Sequence, residues 1–191
     1  MILGERISIR PLEPGDEEYL YRWWNDGSVM ARAGLFYGKL QSKEAIRDLV
    51  AAQRSDGAIL DRERRFIVCK RGSMEPIGEA GYSSWDPRNQ KADLDLRIYE
   101  GDEQEKAYGL DALYHFVDFL FRFLNLNKIE LVALADDAPA VDMYHRLGFQ
   151  DIGVSRQAQV DARSGGFSDM VCMDLLRTDW MAARASVSTL F

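Results

Sequence analysis

The stretch from Lys91 to Ala135 constrains this chain more than any other. Lys91–Tyr99 (KADLDLRIY) alternates polar and apolar residues, and Lys128–Ala135 (KIELVALA) is apolar enough for a central strand. Between them, residues 107–125 set His115, Asp118, Arg122 and Asn125 at spacings of 3, 4 and 3, with Leu113, Phe116, Val117, Leu120, Phe121 and Leu124 filling the remaining surface. That wide apolar surface predicts a largely buried helix. Strand, long helix and strand in this order make a crossover unit, so the two strands should lie parallel in one sheet.

The flanking segments extend the pattern. Arg6–Leu12 reads as a short strand ended by Pro11, and Asp16–Trp24 as a helix closed by Asn25-Asp26-Gly27. A second helix begins at Ser42, whose hydroxyl can cap it, with Ile46, Leu49 and Val50 inward; Ser28–Gln41 reads as loop. Arg65–Lys70, Pro76–Ser84 and Lys91–Tyr99 follow one another through Gly- or Pro-containing turns, which predicts an antiparallel meander. Asp137–Leu147 is a short amphipathic helix closed by Gly148, and the remainder a hairpin through Ser164-Gly165-Gly166. The order βααβββαβαββ is that of an α/β domain with a mixed central sheet and helices on both faces. A length of 191 residues suits one domain, here 1–176, followed by a tail at 177–191. Trp180 and the Leu190-Phe191 pair of that tail could cover the core or a partner subunit in a homodimer.

Charge and composition exclude several functions. Against 24 Lys and Arg stand 31 Asp and Glu, a net charge of −7, which disfavours a broad grip on nucleic acid phosphates and suits a cationic substrate. The N-terminus turns charged at once, and no uninterrupted apolar stretch reaches the ~18 residues of a membrane span. Cys69 and Cys172 are far apart and lack CxxC spacing, so no disulfide framework or structural zinc site is expected, and a reducing cytoplasm fits. His115 and His145 are isolated and predict no metal site. Neither GxGxxG after the first strand nor a GxSxG elbow occurs, which sets aside a Rossmann dehydrogenase and a serine hydrolase.

Two motifs supply a positive assignment. Gln104-Glu105-Lys106-Ala107-Tyr108-Gly109 lies between the Lys91–Tyr99 strand and the long helix, where free N–H groups and the helix dipole attract anions. It resembles the Q/RxxGxG/A acetyl-CoA loop of the GCN5-related N-acetyltransferase (GNAT) family at Gln104 and Gly109, with Ala107 in place of the first glycine. Downstream, Asp137 to Phe149 (DAPAVDMYHRLGF) is similar to the family's NxxAxxxYxxxGF helix at Ala140, Tyr144, Gly148 and Phe149. Asp137 replaces the usual asparagine. The resemblance covers roughly residues 5–176, and RISIRPLEPGDEEYLYRWWNDGSVM with Glu63–Val68 looks most like the ribosomal-protein and polyamine acetyltransferase branch.

The resemblance implies direct attack by a neutral primary amine on acetyl-CoA, with no metal. The amine would be a protein N-terminus, a polyamine or another small molecule. Leu96, Arg97 and Ile98 would pair with the pantetheine arm, and residues 104–109 would take the pyrophosphate. Asp137 would stand beside the pantetheine, and Tyr144 would also contact the cofactor and act as general acid. The residues leave the base open among Glu79, Asp93 and Asp95, the last two sharing one strand face. Trp23, Trp24 and Asp26 fall in the segment that covers the acceptor in this family, and aromatic rings beside acids suit an ammonium. Glu105, Ala107 and Asp137 also support a different reading, a non-catalytic acyl-CoA-binding or regulatory module of the same fold.

Overall fold

The two-residue period of the strands decides which helix covers which face of the sheet. In β3 (Arg64–Lys70), Phe66 and Val68 enter one apolar cluster, while Ile67 and Cys69 enter a second on the opposite face. The computed structural model describes residues 1–53, 62–99, 105–161 and 164–187. Its other strands are β1 (Ile2–Leu3), β2 (Ile7–Pro11), β4 (Pro76–Asp86), β5 (Lys91–Ile98), β6 (Lys128–Leu134), β7 (Gln150–Asp161) and β8 (Gly166–Leu176). Among the described residues they form one sheet in the order β1-β2-β3-β4-β5-β6-β8-β7. Every pairing is antiparallel except β5 with β6, the crossover pair.

One face carries α4 (Glu105–Phe123), α5 (Ala138–Arg146) and α6 (Arg177–Val187). The other carries α1 (Asp16–Asn25), α2 (Gly27–Met30) and α3 (Lys43–Ala52). Local chemistry fixes their ends. Asp16 of α1 receives a bidentate bond from Arg10 of β2 at 2.7 and 2.8 Å, which ties the helix to the sheet, and Ser42 caps α3 by accepting from the Ala45 N–H at 3.1 Å. Residues Ala112, Leu113, Phe116, Val117 and Leu120 of α4 are fully buried, as the periodicity predicts.

Four features depart from the sequence reading. The two-residue β1 is too short for any periodicity to reveal. Ser28–Gln41 is not all loop: Asp26 caps α2 through the Ser28 and Val29 N–H groups, and a 3₁₀ turn follows at Ala31–Ala33. Glu105–Gly109 belong to the long helix rather than to a connecting loop. The segment after residue 176 is the helix α6, whose Trp180 is fully buried beside Tyr114 at 5.0 Å and donates to Asp118 at 3.3 Å. Asp118 belongs to the polar stripe of α4, which thus serves to dock α6. Leu190-Phe191 lie outside the described residues.

Arg177, the first residue of α6, closes the other end of α4. Its guanidinium donates to the carbonyls of Leu126 at 2.6 Å and Phe121 at 2.9 Å and to the Asn125 side chain at 2.9 Å. These groups would otherwise be orphaned at the helix end. Arg177→Ala should therefore lower stability by about 1–2 kcal/mol, read by calorimetry as a melting point a few degrees lower; an unchanged melting point would show that water replaces the guanidinium at no cost.

Each histidine has a carboxylate partner, His115 with Asp111 at 3.3 Å and His145 with Asp151 at 2.9 Å. Among the described residues no three His, Cys, Asp or Glu side chains converge on a common point, and no helix is long and apolar enough to cross a membrane. Cys69 is fully buried, which pushes its thiol pKa up, whereas Cys172 is half-buried.

Candidate active site

The site begins with a gap in the sheet. The parallel ladder between β5 and β6 links Lys91, Ala92 and Asp93 to Lys128, Ile129 and Glu130, yet β5 runs on to Ile98 and β6 to Leu134. Beyond Asp93 the edge of β5 that faces β6 is unpaired among the described residues. Successive N–H groups of a strand point to opposite edges, and the Tyr99 N–H donates to the Ile77 carbonyl of β4. Arg97 and Asp95 therefore turn their backbone groups to β4, and Leu96 and Ile98 turn theirs to the open edge. An extended ligand arm could pair there as a further strand.

α4 opens beside this edge. The stretch that the resemblance gives to the pyrophosphate is helix rather than loop over its described residues, 105–109. Tyr108 lines a depression of about 380 Å³ with Arg6, Lys70, Arg71 and Ser73. Gly109 is buried one turn in, where an added Cβ would lie 3.4 Å from Met143 Sδ of α5 and 3.9 Å from Ile98 of β5. A Cβ there would make only ordinary van der Waals contact, so packing alone does not demand the glycine. Gln104 lies outside the described residues.

α5 supplies Tyr144. Its ring packs edge-on against Phe149 at 5.8 Å, and burial, with the nearby charge of Asp95, pushes its hydroxyl pKa up to about 12. The phenol therefore stays protonated at neutral pH. Asp137 caps α5 by accepting from the Ala140 N–H at 3.3 Å, so its carboxylate is engaged in holding the helix start.

On the other face of β5, five charged or phenolic side chains form one network. The strand register places Arg65 of β3, Gly81 of β4 and Asp95 of β5 in one row, and Ile67, Glu79 and Arg97 in the next. Gly81 has no side chain to separate its neighbours, and Arg65 reaches across it to Asp95 at 3.8 Å and diagonally to Glu79 at 3.5 Å. Arg97 bonds Asp95 at 2.6 Å and Glu79 at 3.5 Å, and Tyr99 donates to Glu79 at 2.5 Å. Burial alone would raise the Glu79 pKa, but Arg65, Lys39, Arg97 and the Tyr99 hydroxyl outweigh it and hold the carboxyl below its ordinary value. Burial and the Glu79 charge push the Tyr99 phenol up.

This geometry revises three expectations. Glu79 is 2% exposed with both oxygens occupied, which suits an anchor for the network and not a group that must take a proton from an arriving amine. Asp95 is 35% exposed and lies within electrostatic reach of Tyr144. Trp23 and Trp24 are core residues, 1% and 2% exposed, and offer no open ring to an ammonium. The Trp24 indole N–H bonds Glu79 at 3.1 Å, and its ring is already met by Lys39 Nζ at 3.5 Å and the Arg65 guanidinium at 5.2 Å. Asp26, exposed, spends its carboxylate capping α2.

The sequence reading missed Lys39, Arg65 and Tyr99. Arg65 and Tyr99 fall in phase with Glu79 and Asp95 only once the register is known, and Lys39 sits in an irregular segment with no periodic signal at all. Burial pulls the Lys39 pKa down to about 8, against the pull of Glu79.

Comparison with known proteins gives the same answer from the whole chain. At 24% identity over 178 residues, covering 92% of this chain and 96% of its relative, it is similar to the uncharacterized N-acetyltransferase p20 of Bacillus licheniformis. It is 24% identical over 151 residues to the spermidine N(1)-acetyltransferase of Vibrio cholerae, covering 79% and 83% of the two chains. The crystal structure of Vibrio cholerae spermidine N-acetyltransferase in complex with CoA and spermine has the same fold, with a TM-score of 0.78 at 21% identity over 92% of this chain and 98% of the other. Residues 6–150 match the acetyltransferase (GNAT) domain, and the chain with the split β5–β6 pair belongs to that family.

Proposed function

We propose that the protein transfers an acetyl group from acetyl-CoA to a primary amine by direct attack. The observation that carries the reading is the unpaired edge of β5, where the backbone of Leu96 and Ile98 faces the gap left by β6. Acetyl-CoA supplies the activated thioester. The β5 edge would hold the pantetheine arm, and a strand N–H at the gap would polarise the acyl oxygen. The Glu105–Tyr108 turn, with Lys106 in it, would take the pyrophosphate at the positive end of α4. Tyr144, protonated at neutral pH, would give a proton to the departing sulfur. Asp95 would accept the proton of the incoming ammonium, while Glu79 would fix Arg97 and Arg65 around it. Two of the spermidine acetyltransferases to which this chain is similar support a small-molecule amine as acceptor.

The test is calorimetric titration with acetyl-CoA, followed by thiol release over polyamines, amino acids and N-terminal peptides. Binding with turnover is the expected result. Binding with no turnover on any amine would favour a regulatory acyl-CoA module, and absence of binding would defeat the reading.

A further inference from the structure

The charges around the reacting edge do not balance in the direction a polyamine needs. Among the described residues, the network on this face of β5 sets Arg65 and Arg97 against Glu79 and Asp95, and Lys39 stands beside it on the face of Trp24, as a third cation. Both carboxylates are already ion-paired with the arginines. Lys39 is the surplus charge: among the described residues no carboxylate lies within salt-bridge distance of its ammonium, which sits 3.5 Å over the face of Trp24. The next carboxylates outward are engaged as well. Asp93 lies beside Lys91 and stabilises that ammonium, and Asp137 caps α5. Glu79 and Asp95 act on this half-buried cation only from a distance, and an anion brought by the ligand would complete its pairing at close range.

Resting on the acetyltransferase reading above, we propose that the acceptor is a primary amine that also carries a carboxylate. The carboxylate would pair with Lys39 and Arg65, while the amine lies against Asp95 at the β5 edge. Arg65 presents a planar donor fork and Lys39 a point charge, a combination that binds carboxylates well. A diamine or polyamine would place its second ammonium against this surplus cation instead, although the chain as a whole is acidic.

The matched series 5-aminopentanoate, pentylamine and cadaverine, with shorter and longer homologues, varies the far end from anion to neutral to cation. Thiol release at saturating acetyl-CoA should give kcat/KM in that order, with about tenfold or more between the first two. Lys39→Gln should cost 5-aminopentanoate about tenfold more of kcat/KM than it costs pentylamine. Equal or reversed ranking overturns the charge assignment while leaving the acetyltransferase intact. An equal loss on both substrates in Lys39→Gln overturns the role of Lys39 by showing a structural effect. Absence of turnover on every member, with turnover on another amine, overturns this proposal alone, whereas absence of turnover on every amine, with acetyl-CoA bound, overturns the catalytic reading with it.

Discussion

Replacing Tyr144 with phenylalanine is expected to lower kcat by about 100-fold or more, with the KM for acetyl-CoA close to that of the parent. The change deletes one hydroxyl and keeps the ring that packs against Phe149, so α5 and its cap at Asp137 should be undisturbed. A general acid works only while protonated. Burial and the charge of Asp95 outweigh the opposing Arg97 and raise the Tyr144 pKa to about 12, so any loss of rate from its ionisation is displaced upward. Between about pH 6 and 9, kcat should therefore show no alkaline fall due to this residue. Thiol-release rates for both proteins across that range test the assignment. A phenylalanine variant with unchanged kcat would remove Tyr144 from the chemistry and leave it as packing against Phe149.

The fold was legible wherever burial imposes a period. The crossover from Lys91 to Ala135, the antiparallel meander and the Ser42 cap all follow from residue spacing, and the structure has each of them. Helix ends were less legible, because the Glu105–Gly109 stretch carries a loop-like motif while its backbone is helical. Asp111 shows the limit of pattern reading more sharply. It is a fully buried carboxylate in the apolar stripe of α4, held by the N–H groups of Glu5, Arg6 and Ile7 at 3.2, 2.7 and 3.2 Å. Those partners lie more than a hundred residues away in sequence, so no local signal could name them. The candidate site divides in the same way. Backbone positions such as Leu96 and Ile98 follow from strand phase, whereas the pairing of Arg65 with Asp95 across Gly81 exists only in the assembled register. The family resemblance of its segment, with aromatic rings beside acids, places Trp24 against a bound ammonium, and the ring instead faces Lys39 and Arg65 of the same chain.

Glu79→Gln separates an anchoring carboxylate from a catalytic base, and a large loss of stability is the expected outcome. Glutamine keeps the shape and can keep an oxygen toward Trp24 and Tyr99, but it removes the negative charge that faces Arg65, Arg97 and Lys39 and turns its NH2 donors toward the Arg65 guanidinium. The arginine side chains are 25% and 29% exposed, so solvent recovers part of the cost; about 2–4 kcal/mol should be lost at neutral pH. For a chain of this size that is a melting point about 5–15 °C lower. The pH dependence carries the sign. The Glu79 pKa in the folded protein is below the ordinary 4.5, so its contribution is fully present above that value and disappears as pH falls through the lowered one. The gap in melting point between the two proteins should therefore be widest at neutral pH and close in acid. Below the melting temperature the variant should keep measurable turnover, because the proposed mechanism gives the proton of the amine to Asp95 and not to Glu79. A variant as stable as the parent but without activity would reverse that assignment and make Glu79 the base.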